Sequence, residues 1–180
     1  LWSIYLGLNL IQILMLWTGG MSLFDSICHS FSTIATAGFS PKNSSIGYYG
    51  SSYFDWVTII FMFLGGMGFM LFYHMLKNEW KLVQVNTELR WYASIIFFLC
   101  CLTTLILLIK GPYENFFDSL RYATFQITSL MTTTGFTTTD YELWPQSVQM
   151  ILYIACFIGA CAGSTTSGIK IVHFIIIWKY

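Results

Sequence analysis

Apolar residues fall in long blocks along this chain, separated by short polar runs that hold nearly all of its charges. Residues 1–24, 56–76, 91–109 and 143–169 contain no Asp, Glu, Lys or Arg. Each block reaches or approaches the roughly 20 residues that cross about 30 Å of hydrocarbon. The pattern predicts spanning helices over 1–17, 56–76 and 91–109, and a longer apolar segment over 143–178. Asn9 and Gln12 are the few polar residues of the first block, which Thr18-Gly19-Gly20 ends. Gly65, Gly66 and Gly68 interrupt the second.

The segments between the blocks carry more information. Ser22 followed by Asp25 has the form of a helix N-cap with an acid in the first turn. The helix it opens runs only to Ala35, too short to span, and dissolves into the small polar run STIATAGFS at 32–40. Asn115 followed by Asp118 reads as a second cap, opening another short helix that runs into SLMTTTGFTTT at 129–139. Residues 41–52 read as a polar loop, and 77–90 (KNEWKLVQVNTELR) as an interfacial connector.

These matches form an internal repeat. Phe24-Asp25-Ser26 recurs as Phe117-Asp118-Ser119, 93 residues later, and the proposed caps Ser22 and Asn115 keep that offset. Thr36-Ala37-Gly38-Phe39 recurs as Thr133-Thr134-Gly135-Phe136 at an offset of 97, which Gly66 and Gly163 share. The second copy therefore gains four residues inside its short helix, about one turn. The expected organisation is a first helix–pore loop–helix unit over 1–80, a cytoplasmic connector over 81–90, and a second unit over 91–180 with a broken inner helix. The expected fold class is all-α integral membrane protein, potassium-channel-like, with tandem repeats of spanning helix, re-entrant pore helix and filter loop, and spanning helix.

Composition supports the membrane reading: 56% of residues are hydrophobic and 9% charged, against roughly 25% charged in an average soluble domain. Zero formal net charge gives no indication of a nucleic-acid partner. Cys28, Cys100, Cys101, Cys156 and Cys161 lack metal-ligand or CxxC spacing and read as small buried residues. No signal peptide is expected, and the 180 residues read as part of a longer protein. Lys77, Lys81, Arg90, Lys170 and Lys179 outnumber Lys42, Lys110 and Arg121, which places the 77–90 side in the cytoplasm. Asp25, Asp55, Glu114, Asp118, Asp140 and Glu142 gather on the opposite side, as a cation-attracting mouth or as ordinary solvated loop charges.

Irregular backbone at membrane depth must be buried in protein or line a water-filled cavity. Carbonyls that cannot all pair with one another are free for an ion, glycine opens otherwise closed backbone angles, and threonine adds a hydroxyl acceptor. The short helices also aim their negative C-terminal ends inward, which favours a cation. The alternative is that Thr and Gly simply allow close helix packing.

Residues 32–40, 131–141 (MTTTGFTTTDY) and 159–170 (GACAGSTTSGIK) resemble the Trk/Ktr/HKT superfamily of potassium transporters, most closely its bacterial TrkH-type uptake subunits. The resemblance covers essentially the whole chain. It implies four such units around a central pore, of which these are similar to the second and third. Each unit would lend a filter strand: Ala35, Thr36, Ala37 and Gly38, then Thr132, Thr133, Thr134 and Gly135, with potassium bound at these residues. Ala37 departs from the Thr or Gly often found there. It further implies a multi-pass protein of the bacterial inner membrane belonging to a Trk system, contact with membrane lipid, a homodimer of the full-length chain, and a cytoplasmic nucleotide-binding regulatory subunit (TrkA-like). No cofactor is expected; potassium is the transported substrate.

Residues 143–178, if wholly helical, would run about 54 Å, so a break is expected within 159–168, with helix resuming near Ile169. By the resemblance, Gly159, Gly163, Ser164, Thr165, Thr166, Ser167, Gly168 and Lys170 form a movable gate. A GxxxG packing face in an intact helix is the alternative. Lys170 either serves the gate or snorkels to the interface, and His29, His74 and His173 are expected only to pack. Potassium uptake through a carbonyl-lined, gated filter is the leading reading. A secondary active cation symporter with a midplane site is the alternative, and an enzyme is not expected.

Overall fold

The computed structural model describes residues 2–113 and 115–179, except the side chains of Trp178 and Lys179. The expected places of Glu114 in the mouth and of the Lys179 side chain on the cytoplasmic side lie outside these. The described residues form nine α-helices, two short 3₁₀ turns and one isolated β-bridge, with no strand among them.

Helix α1 (Trp2–Thr18) stops where Gly20 adopts φ 104°. The chain then turns directly into α2 (Leu23–Ile34), where the Ser22 hydroxyl accepts the Asp25 N–H at 3.1 Å. The polar residues of α1 face α2: Gln12 Nε2 donates to Thr33 Oγ1 at 3.0 Å, and Ser30 donates to the Asn9 carbonyl at 2.9 Å. Inside a membrane protein such bonds fix one helix against another, because water is not there to replace them.

The 41–52 loop contains a 3₁₀ turn over Ser45–Tyr49 that buries Ile46. Beyond it, the 56–76 block is not one span. Helix α3 (Ser52–Gly66) and helix α4 (Phe69–Leu76) meet at 96° across Met67 and Gly68. A Cβ at Gly66 would strike the Tyr92 hydroxyl, and one at Gly68 the Ala162 carbonyl, so the glycines admit neighbouring groups into the bend. The connector holds helix α5 (Trp80–Val85), and helix α6 (Thr87–Lys110) takes in its last residues, capped by Asn86 accepting from Leu89 N–H at 2.9 Å. By length and composition α6 crosses a membrane unaided, α3 with α4 passes only as a bent pair, and α1 is a shorter apolar helix.

Helix α7 (Phe116–Met131) is 16 residues against 12 for α2, four more, one turn, as the shift between repeat offsets requires. Asn115 does not cap it with its side chain, contrary to the sequence reading; its amide instead reaches Asp118 Oδ2 at 3.4 Å. The last block divides into α8 (Gln146–Phe157) and α9 (Ile171–Lys179), which rules out an intact helix with a GxxxG face.

Two buried clusters form the core, and each crosses between the halves of the chain. Phe125 and Phe136 complete the cluster around Leu16, Phe54 and Met62, while Met67, Leu71 and Phe72 join that around Tyr92, Leu107 and Val148. Large apolar residues along one side of α1 (Trp2, Leu6, Leu10, Leu14, Trp17) and of α6 (Phe97, Phe98, Leu105, Ile109) remain exposed. Such continuous apolar surface suits lipid, not water. Of the cysteines only Cys100 and Cys161 are buried; Cys156 is exposed, Cys28 and Cys101 half-buried, and all five are free thiols.

Candidate ion-coordinating site

Helices α2 and α7 end in the same hydrogen-bond pattern. After α2, Thr36 N–H donates to Thr33 O at 3.1 Å and Ala37 N–H to Ser32 O at 2.8 Å. After α7, Thr133 N–H donates to Leu130 O at 3.0 Å and Thr134 N–H to Ser129 O at 2.9 Å. This is the Schellman cap, whose left-handed residue is usually glycine. Here it is threonine, with φ 51° at Thr36 and 54° at Thr133. A β-branched side chain there is a genuine outlier, costing roughly 1–2 kcal/mol. Gly38 (φ 73°) and Gly135 (φ 83°) return to positive φ two residues later, while Ala37 and Thr134 between them do not. In an extended strand successive peptide units point to opposite sides. Alternating the sign of φ undoes that flip and lets successive carbonyls face one side.

With the amide donors of Thr36, Ala37, Thr133 and Thr134 used in the caps, the acceptors decide what these segments can do. Among the described residues the carbonyls of Thr36, Ala37, Gly38, Thr132, Thr133, Thr134 and Gly135 accept no hydrogen bond, and that of Ala35 accepts only the Thr36 hydroxyl, at 2.8 Å. Backbone carbonyls without a protein partner are open to water or to a bound cation. The negative ends of both helix dipoles add to their attraction for a cation. The two segments approach closely: a Cβ on Gly38 would lie 1.8 Å from the Thr134 carbonyl oxygen. The threonine hydroxyls, expected as further acceptors, already have protein partners: Thr132 donates to Thr128 O at 2.7 Å and lies 2.8 Å from the Thr134 hydroxyl, Thr36 donates to Ala35 O, and Thr133 accepts from the Ser167 N–H.

Several residues that hold these segments escaped the sequence reading. His29 is fully buried between the rings of Tyr49 and Phe136. Its Nδ1 lies 2.8 Å from the Asp25 carbonyl and its Nε2 3.2 Å from Ser40 Oγ. The carbonyl accepts only, so Nδ1 donates, and the neutral ring accepts from Ser40. Ser129 Oγ donates to Phe136 O at 2.6 Å, and Gly47 N–H to Thr137 O at 3.1 Å, tying the 41–52 loop to the end of the second segment. The repeat offers one signal for these, since Ser32 and Ser129 share the 97-residue offset. Yet the equivalence is incomplete. Phe136 is 0% exposed and Phe39 78%, and the Ser32 hydroxyl is buried without a partner among the described residues.

Residues 158–170 form a closed loop between α8 and α9. Its neck is a parallel bridge of Ile158 with Ile169, made by Gly159 N–H to Ile169 O at 2.9 Å and Ile169 N–H to Phe157 O at 3.3 Å. The chain enters and leaves the neck in the same direction, so the loop is extruded sideways from an otherwise continuing path. Gly163 and Gly168 take positive φ, and a Cβ on Gly159 would strike the Ser167 carbonyl. Lys170 turns back into the loop instead of snorkelling: its ammonium donates to the Thr166 carbonyl, to Thr166 Oγ1 at 3.0 Å and to Ser164 Oγ at 3.4 Å. The loop sits in the bend between α3 and α4, with Cys161 N–H on Gly66 O at 3.1 Å and Phe69 N–H on Gly163 O at 3.1 Å. On its other flank Glu88 accepts the Ala162 N–H. Toward the carbonyl segments, Thr165 Oγ1 lies 2.9 Å from Ile34 O and Ser167 N–H donates to Thr133 Oγ1 at 2.9 Å.

Three of the acids expected at the mouth lie beside cations. Lys42 lies 3.4 Å from Asp25, and Arg121 lies 3.5 Å from Asp55 and 3.1 Å from Asp118. Burial by itself would raise the Asp25 carboxyl, but hydrogen bonds from Tyr49 (2.8 Å) and Ser22, with Lys42 beside it, hold it below the usual carboxylate range. Arg121 is shared between two of these carboxylates, so the pairing neutralises the three only in part, and Asp140 and Glu142 form no ion pair among the described residues.

A family model described as TrkH, cation transport protein, matches residues 1–180. The chain is 36% identical over 180 residues to the Trk system potassium uptake protein TrkH of Escherichia coli K12, covering 99% of this chain and 37% of that protein. It is 33% identical to the Trk system potassium uptake protein TrkG of the same organism, with the same coverage. The crystal structure of the potassium transporter TrkH from Vibrio parahaemolyticus superposes with a TM-score of 0.92 at 35% identity, over 98% of this chain and 38% of that one. The chain thus spans little more than a third of the length of these relatives.

Proposed function

Because the chain belongs to the TrkH family of cation transport proteins, a family of potassium-channel-like membrane fold, we propose that its two carbonyl segments form half of a potassium filter in a bacterial inner-membrane uptake system. The observation that carries this is the pair of matching segments, Ala35 to Gly38 and Thr132 to Gly135, each with alternating φ and, Ala35 apart, carbonyls that accept no hydrogen bond among the described residues. Carbonyls arranged in this way replace an ion's hydration shell. Two segments make half of a fourfold ring, so the complete pore takes further units, with residues 1–80 and 91–180 as two of them and 81–90 as the joint.

The loop over Gly159, Gly163, Ser164, Thr165, Thr166, Ser167, Gly168 and Lys170 acts as the gate. Its two-bond neck and three positive or crowded glycines allow it to swing without unfolding α8 or α9. The same reading includes a homodimer of the complete protein and a cytoplasmic nucleotide-binding regulatory subunit acting from the 77–90 side.

The test is uptake of radioactive rubidium and sodium into liposomes containing the complete protein, with and without an imposed membrane potential. The reading requires rubidium entry that follows the potential and that potassium suppresses better than sodium does. Strictly stoichiometric coupling to protons or sodium would establish a symporter and remove the filter reading.

A further inference from the structure

The loop does more than lie near the carbonyl segments; it is bonded at once to the second of them and to the residue that leads into the first. Thr165 Oγ1 donates to the carbonyl of Ile34 at 2.9 Å, with Gly65 O at 3.3 Å on the same hydroxyl. Ile34 is the last helical residue of α2, one of the carbonyls that a helix end leaves without an internal partner, and it immediately precedes Ala35. Two residues further along the loop, the Ser167 N–H donates to Thr133 Oγ1 at 2.9 Å. Thr133 is one of the two threonines forced to positive φ. Between these anchors, Thr166 is buried and held by the Lys170 ammonium through both its carbonyl and its hydroxyl, which sets the spacing of Thr165 and Ser167.

Strained backbone persists only where its surroundings over-determine it. The strain of a β-branched residue at positive φ and the net worth of one hydrogen bond are of the same order. Loss of a single anchor is therefore enough to let an adjacent segment relax toward ordinary backbone angles and move its carbonyls. On the reading that the segments are a filter, we propose that Thr165 and Ser167 are positioning residues for ion selectivity, acting through Ile34 and Thr133 without touching the ion. The loop then controls which ion passes as well as whether one passes: withdrawing it removes support from both segments together.

The experiment compares wild type, Thr165→Val, Thr165→Ser and Ser167→Pro in the complete protein, reading the ratio of rubidium to sodium uptake in liposomes together with the absolute rates. Thr165→Val deletes the hydroxyl at nearly constant volume and lowers the ratio about fivefold, the effect of one net hydrogen bond. Thr165→Ser keeps the hydroxyl and restores the ratio. Ser167→Pro removes the other donor and lowers the ratio by a similar factor, so the inference stays testable should Thr165→Val fail to insert. Variants that change the rate while keeping the wild-type ratio would make the loop a gate alone and overturn the coupling. A wild-type protein with no preference for rubidium would instead overturn the filter reading itself, so the two failures are distinct.

Discussion

Replacing Gly38 with alanine puts one methyl group at the closest approach of the two carbonyl segments. Two costs follow. At φ 73° a side chain costs roughly 1–2 kcal/mol of backbone strain. The new Cβ would also lie 1.8 Å from the Thr134 carbonyl oxygen, where real Cβ contacts hardly ever fall below 3.0 Å, so one segment must shift by at least 1.2 Å (3.0 − 1.8). Overpacking of this kind costs a further 1–3 kcal/mol or so. Gly135→Ala carries the first cost alone, since among the described residues no atom other than those of its chain neighbours lies within 4 Å of its added Cβ. If these energies fall on the ion-coordinating arrangement, Gly135→Ala lowers the rubidium-to-sodium uptake ratio by about 5–30-fold, and Gly38→Ala lowers it further, to little or no discrimination. Parallel uptake assays on liposomes with equal protein content measure both. Equal loss in the two variants would show that close approach is not what limits the site, and an unchanged ratio in Gly38→Ala would refute its placement in the filter.

Other perturbations test other contacts. Ser129→Ala removes the 2.6 Å bond to the Phe136 carbonyl and leaves a buried acceptor unpaired, at a cost of about 1–3 kcal/mol; thermal unfolding in detergent should fall by several degrees and rubidium selectivity with it, whereas an unchanged ratio would confine Ser129 to stability. Glu88→Ala frees the Ala162 N–H and loosens the loop on its connector flank. Basal rubidium uptake should rise several-fold, and a fall would mean that Glu88 supports the open state. Asp25 is held below its unfolded value by Tyr49, Ser22 and Lys42 against the opposing effect of burial. Its contribution to stability is complete above the ordinary Asp range and is lost as pH falls below it. Acid unfolding curves of Tyr49→Phe should therefore be flatter than wild type below about pH 4, and identical curves would show that the Tyr49 bond carries none of that dependence.

Much of this molecule is legible along the chain because the relevant physics is local. Charge-free blocks mark the apolar segments, the Ser22 cap and the glycines after Thr18 mark the start of α2, and the change of offset from 93 to 97 is the extra turn of α7. The TAGF and TTGF runs stand out because glycine and threonine in that order are unusual beside a half-length helix. Backbone angles and caps depend on a few neighbouring residues, so a sequence reader can reach them.

What the tertiary structure alone decided is where distant segments meet. The 96° bend at Met67 and Gly68 has its reason in Tyr92 and Ala162, and the loop in that bend is fixed by Glu88, by Ile34 and by Thr133. His29 looked like an isolated polar residue until Tyr49, Phe136 and Ser40 closed around it. Asp25, Asp55 and Asp118 read as an open acidic mouth until Lys42 and Arg121 were found against them. No period or motif encodes these contacts, because each depends on how one repeated half packs against the other. The repeat is written in the sequence; the difference between its copies, a buried Phe136 against an exposed Phe39, arises only when the halves are placed side by side.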